Sequence, residues 1–229
     1  MAKPWLESYP PEIPHDIDVT RYGSLAQLLE ESFKKHGARP FSVCMDHWMS
    51  YRELDEASAA LGAWLQGLGL EEGARVAIML PNIPQFAVTM AGVLRAGYTC
   101  VNVNPLYTAR ELEHQLKDSG ASAIVILENF AHTLEKVIAE TPVRHVVMAS
   151  MGDMLGAFYG PWITFAVRHL AKLVPEFSLP LEGGRSVTPF RTVLSEGSRR
   201  SLRPGQATRE SIAFLQYTGG TTGLSKGAI

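Results

Sequence analysis

Polar and apolar positions along this chain follow two alternating rhythms. One has helical spacing: Leu25, Leu28, Leu29 and Phe33, then Leu54, Ala57, Leu61, Trp64, Leu65 and Leu68. Each set recurs at three and four residues, so each marks one face of an amphipathic helix. The other rhythm is a short unbroken apolar run. It occurs at Arg75–Leu80, Tyr98–Val103, Ala123–Leu127 and Val143–Met148. Runs of this length suit strands buried on both faces. Helix starts are marked by four capping-box pairs: Ser24 with Gln27, Ser50 with Glu53, Asn82 with Gln85, and Thr108 with Glu111. In such a pair the first side chain accepts from an orphan N–H and the second reaches back. Strands alternating with capped helices are βαβ units. They predict an α/β fold with a parallel sheet, right-handed crossovers and ligands gathered at the carboxyl ends of the strands.

One segment departs from that rhythm. Met154 to Val167 contains no formal charge and includes Phe158, Tyr159, Trp162 and Phe165. It is too short to span a bilayer as a helix, which takes roughly 20 apolar residues. With Pro161 at the first helical position, Thr164, Arg168 and Lys172 share one face. Trp162, Ile163, Phe165, Ala166, Leu170 and Leu173 cover the rest. A cationic stripe opposite such a face fits a helix lying in a membrane interface, and it also fits a helix packed on the protein's own core. Gly183, Gly184 and Arg199–Pro204 read as loops around this insertion, which spans about residues 150–185.

Composition narrows the classes further. A length of 229 residues with 46% hydrophobic content allows a substantial core, and a formal net charge of −2 gives no electrostatic reason to expect nucleic-acid binding. Cys44 and Cys100 are too few for a disulfide framework, and both lie in apolar stretches, so buried free thiols in a reducing cytoplasm are expected. Met1–Arg21 carries Pro4, Pro10, Pro11 and Pro14 and no apolar run, unlike a signal peptide.

The candidate chemistry lies at Tyr217-Thr-Gly-Gly-Thr-Thr-Gly-Leu-Ser-Lys-Gly227. Glycines let successive N–H groups point at a ligand, hydroxyls add donors, and Lys226 adds a full charge. Together they suit a polyphosphate. The run is not a Walker A loop, because Ser225 precedes the Lys where that motif has Gly, and Gly227 follows it where that motif has Ser or Thr. Ser211–Tyr217 reads as a buried strand and Lys226–Ile229 as the start of another, so the expected setting is strand, loop, strand. A Ser–Lys hydrolase dyad is disfavoured because Ser225 and Lys226 are adjacent. No His/Cys cluster has metal-ligand spacing and no G-x-S-x-G elbow occurs.

This loop resembles the signature loop of the acyl-adenylate-forming superfamily, with Gly219 where Ser is usual. That variant, together with Leu80–Phe86 and Val101–Gly120, is similar to bacterial long-chain fatty acid:CoA ligases. The resemblance covers nearly the whole chain and matches the N-terminal portion of those longer proteins. It implies that residues 1–229 belong to a large adenylating domain. It also implies ATP-dependent activation of a fatty acid through an acyl-adenylate, with coenzyme A as the acyl acceptor and Mg²⁺ as the metal.

On this reading Thr218, Thr221 and Thr222 supply hydroxyls, Gly219, Gly220 and Gly223 supply backbone donors, and Lys226 supplies the catalytic charge. Tyr217, Leu224, Ser225, Gly227 and Ala228 complete the nucleotide-binding run. The family's metal-binding Glu, acyl pocket and catalytic C-terminal domain are expected beyond residue 229, so the segment alone is expected to be inactive, with its loop mobile until ATP binds. Peripheral attachment to the inner face of a membrane through residues 155–174 is expected, and self-association of the segment would be another way to cover that surface. Two other readings stay open: a non-enzymatic membrane-binding or interaction module, and an enzyme adenylating a different carboxylate. Leu80–Pro84 could line a site or merely turn from strand to helix. Asn102 and Asn104 carry the same ambiguity, and His114 reads as a surface residue.

Overall fold

A computed structural model describes residues 3–218 and 225–229. In chain order the regular elements are α1 (Leu25–His36), β1 (Pro40–Cys44), β2 (His47–Ser50), α2 (Tyr51–Gln66), β3 (Arg75–Met79), α3 (Pro84–Arg95), β4 (Thr99–Asn102), α4 (Ala109–Ser119) and β5 (Ala123–Leu127). They continue with α5 (Ala131–Glu135), β6 (His145–Ala149), α6 (Tyr159–Phe165), β7 (Ser186–Pro189), α7 (Phe190–Gly197), β8 (Phe214–Thr218) and β9 (Lys226–Ala228).

Among the described residues seven strands form one sheet in the order β7-β6-β5-β3-β4-β8-β9. Every pairing is parallel except β8 with β9. The four apolar runs are β3, β4, β5 and β6, as the alternation with helices predicts. Their residues divide between two cores by the period-two rule. Val76, Ile78, Cys100 and Val125 face α2, α3 and α7, together with Leu61, Val88 and Phe190. Ala77, Met79, Val101 and Ile124 face α4 and α5, together with Leu112, Leu116 and Leu134. The central strands β3, β4, β5 and β6 are therefore packed on both faces, which explains why they read as unbroken apolar runs.

Arg95 ties the helices of the first layer together. Its side chain is buried, meets the Asp55 carboxylate at 2.8 Å and donates to the Ser58 hydroxyl at 2.8 Å. Its guanidinium lies over the Phe33 ring, 5.2 Å from the centroid.

Several expectations need correction. Asn82 does not cap α3: the N-cap is Ile83, and Pro84 opens the helix, where a missing N–H leaves nothing unsatisfied. Its supposed box partner Gln85 is buried and donates to the Ser150 carbonyl at 2.8 Å. Ser24 caps α1, but Gln27 reaches the Gly23 N–H, one residue early for a box. Cys44 is only partly buried, on the two-stranded β1–β2 sheet beside the main one, while Cys100 is buried. Between the expected loops at Gly184 and Arg199, where the sequence pattern named no element, the chain forms β7 and α7.

Candidate phosphate-binding site

The described ends of the candidate polyphosphate motif lie on β8 and β9, at the carboxyl end of β8. The pairing sets Thr218 opposite Lys226, Tyr217 opposite Gly227 and Gln216 opposite Ala228. Directly opposed residues point the same way, and successive residues point oppositely. Gln216, Thr218 and Lys226 therefore share one face, and Tyr217 lies on the other. Thr218 and Lys226 are exposed at the end of the ladder. Among the described residues Lys226 has no carboxylate within ion-pair distance. The same face continues onto β4, where the Asn102 amide donates to Gln216 Oε1 at 3.0 Å. Among the described residues Asn102 Oδ1, which is buried, has no hydrogen-bond partner.

Tyr217 occupies a different place from the rest of the run. It is buried in the second core, and its phenol donates to Asp118 Oδ2 on α4 at 2.5 Å. Burial first, then the hydrogen bond to Asp118 and that carboxylate's charge, pushes the phenol above its ordinary range and keeps it a donor. Gly227 lies against the Tyr217 ring, and a Cβ there would come within 3.1 Å of it. Gly227 thus allows the ring to seat. His114 is half-buried on α4, and its Nε2–H donates to the Ser225 carbonyl at 3.1 Å. Gly219, Gly220, Thr221, Thr222, Gly223 and Leu224 lie outside the described residues, so the expectation of a mobile loop falls there.

The neighbouring polar residues also make structural hydrogen bonds. Asn104 Oδ1 accepts from the Leu106 N–H at 3.0 Å, a local turn that ends β4. The Asn102 carbonyl accepts from Gln115 Nε2 at 2.7 Å, which fixes α4 to the carboxyl end of β4.

A second surface lies at the carboxyl ends of β5 and β6. The chain is helical from Tyr159 to Leu170, with α6 passing into a π-turn over Ala166–Leu170. Pro161 is the third helical residue, not the first. The expected stripe of Thr164, Arg168 and Lys172 is broken, because the π-turn changes the register and Lys172 leaves the helix at φ 51. Arg168 turns inward to the buried Glu128, at 2.5 Å, and donates to the Ser150 hydroxyl at 3.1 Å. α6 sits close enough that a Cβ on Gly152 would lie 1.9 Å from the Gly160 carbonyl oxygen. Phe158, Trp162, Phe165, Leu170 and Leu173 face outward, with Trp162 stacked on Phe165 at 5.8 Å. The α/β core does not cover this face. Among the described residues no helix is long and apolar enough to cross a membrane, and no group of three or more His, Cys, Asp or Glu side chains could hold a metal ion.

Comparison with known proteins agrees with the fold. The chain is 50% identical over 230 aligned residues to a long-chain-fatty-acid–CoA ligase of Yersinia pestis, and 49% identical to one of Escherichia coli O157:H7. Each alignment covers 100% of this chain and 40% of the relative. Among solved structures, a long-chain-fatty-acid-CoA ligase from Archaeoglobus fulgidus superposes with a TM-score of 0.66 at 22% identity, over 94% of this chain and 38% of that one. The anthranilate CoA ligase AuaEII, solved with anthranoyl-AMP, gives 0.69 at 22% identity, over 92% and 35%. Residues 29–229 match the AMP-binding enzyme family, and the chain belongs to that family.

Proposed function

We propose that the whole protein of which residues 1–229 form a part activates a long-chain fatty acid in two steps. A carboxylate oxygen attacks the α-phosphorus of ATP and pyrophosphate leaves. The thiol sulfur of coenzyme A then attacks the acyl carbonyl and AMP leaves. The observation that carries this reading is the 50% identity, across the entire chain, to a ligase of that name.

The site geometry supports it. Thr218 and Lys226 project side by side from the end of the β8–β9 ladder, on the face away from Tyr217. A hydroxyl and an exposed ammonium so placed suit the β- and γ-phosphates, where fixed positive charge offsets the charge of the leaving pyrophosphate. The Gly219–Leu224 segment would add backbone and hydroxyl donors. Mg²⁺ and coenzyme A are proposed as the accompanying metal and acyl acceptor. The chain spans about 40% of the length of these relatives, and we propose that residues 1–229 alone form no acyl-CoA. Turnover by the purified segment, free of longer chains, would reverse that.

The test is Lys226→Ala in a chain extended to the relatives' length. Loss of one preorganised contact to developing charge costs about 2.7–4 kcal/mol, or on the order of 10²–10³ in rate. ATP–pyrophosphate exchange should fall by that factor with an unchanged melting temperature, because Lys226 is exposed. Near-normal exchange would remove Lys226 from the phosphate site. Exchange with aryl or amino acids in preference to fatty acids would favour a different carboxylate.

A second reading concerns the outward aromatic face of residues 158–173. We propose that it makes peripheral contact with the cytoplasmic side of a membrane, with Trp162 and Phe165 entering the headgroup boundary. Arg168 is engaged with Glu128, and Lys172, where the chain leaves the helix, is a further exposed cation on this segment.

A further inference from the structure

The sequence run presents Tyr217 and Ser225 as two more members of a ligand-binding loop, and His114 as a surface residue. The structure joins them through one helix. Tyr217 is the penultimate residue of β8, and its phenol is held by Asp118. Ser225 immediately precedes β9, and its carbonyl is held by His114. His114 and Asp118 are four residues apart on α4, hence on one face and one turn apart. α4 is itself fixed by a capping box at Thr108 and Glu111 and by Gln115 on the Asn102 carbonyl.

We propose that α4 is the seat that fixes the paired end of β8 and β9, where Thr218 stands opposite Lys226, with Asp118 and His114 as positioning residues gripping the two strands through Tyr217 and Ser225. This rests on the reading of the 217–227 run as the holder of the ATP phosphates. Asp118 is exposed, so it is not required to neutralise a buried charge, and its role is to fix where the phenol stands. A carboxylate–phenol bond is a strong, directional choice for that task. The grips act on the face opposite Thr218 and Lys226, so they can hold the strands without occupying the ligand's space.

The test uses the chain extended to full length, with ATP–pyrophosphate exchange measured against ATP and against fatty acid. Variants are Asp118→Ala, Tyr217→Phe and the pair, with Asp118→Asn as the conservative replacement that keeps an acceptor. His114→Ala and His114→Gln examine the second grip, Gln keeping an N–H donor. Displacing a reacting group by about 1 Å costs on the order of 10²-fold, so each disruptive variant should lower kcat/KM for ATP by roughly 10- to 100-fold. KM for the fatty acid should stay unchanged. The Asp118→Ala/Tyr217→Phe pair should be no worse than either single change, and Asn and Gln should restore most of the loss. Tyr217→Phe keeps the buried ring, so it remains informative even where Asp118→Ala lowers stability.

Lys226→Ala separates this proposal from the reading beneath it. If Lys226→Ala impairs exchange while the α4 variants do not, the positioning role is wrong and the phosphate reading stands. If neither impairs exchange, both are wrong.

Discussion

Asp153 shows how one side chain can carry a pH signature for this fold. Its Oδ2 accepts from the Ser150 N–H at 2.7 Å, just past the end of β6. Burial pushes its carboxyl from 3.8 up to about 6, outweighing that hydrogen bond and the nearby Arg191 and Arg168, with Glu128 pushing the same way. The folded chain therefore holds a proton, between about pH 4 and 6, that the unfolded chain has released. Its contribution to stability is greatest below about pH 4 and is lost as pH rises through 6. Asp153→Asn keeps an acceptor for Ser150 and removes the titration. It should raise stability at pH 8 by up to about 3 kcal/mol and flatten the slope between pH 4 and 6. Urea unfolding across that range measures both, and an unchanged slope would show that Asp153 titrates normally.

Local signals proved readable where the responsible atoms lie within a few residues of one another. Ser50 with Glu53 and Thr108 with Glu111 form complete capping boxes. Asn82 with Gln85 has the same spacing but fails, because the Ser150 carbonyl captures the Gln85 amide from 65 positions away. No local pattern announces such a partner. Thr108→Ala should therefore destabilise by about 1 kcal/mol, whereas Asn82→Ala should be nearly silent, as chemical denaturation of the two variants would show. Equal losses would mean that Asn82 has a role outside the cap. The β1–β2 hairpin was hidden for a related reason. Its two-residue turn is Met45-Asp46, both at positive φ, without the Asn-Gly or Asp-Gly that usually marks such a turn. β7 is four residues long and ends on Pro189, which leaves no period to detect.

At the scale of the molecule, the parallel sheet and the closing hairpin were legible because continuous apolar runs and a glycine-rich loop are strong patterns. The division of the loop motif between two faces was not. It depends on strand pairing, which places Tyr217 toward α4 and Thr218 with Lys226 away from it. The orientation of the 159–170 helix was likewise set from outside, by Glu128 drawing Arg168 inward and leaving the aromatic side uncovered. If that side meets lipid, Trp162→Ser with Phe165→Ser should weaken co-sedimentation of the full-length protein with anionic vesicles by several-fold while the fold persists. Equal sedimentation would assign the face to another protein surface, including a second copy of the chain, which analytical ultracentrifugation would reveal.

The placement of β8 beside β4 also governs the order of assembly. Asn102 and Gln216 pair from positions 114 residues apart, and every strand between them in the chain lies on the other side of β4. As the chain leaves the ribosome, β3, β4, β5 and β6 can close their core while one side of β4 still lacks a neighbour. Closing so long a loop is slow relative to local helix formation. The two strands of the candidate phosphate site are thus late arrivals, docked onto a sheet that already exists. Until they dock, the Thr99–Asn102 edge is a row of free amide and carbonyl groups open to pairing with another nascent chain. Slow synthesis between residues 150 and 213 would lengthen that exposure.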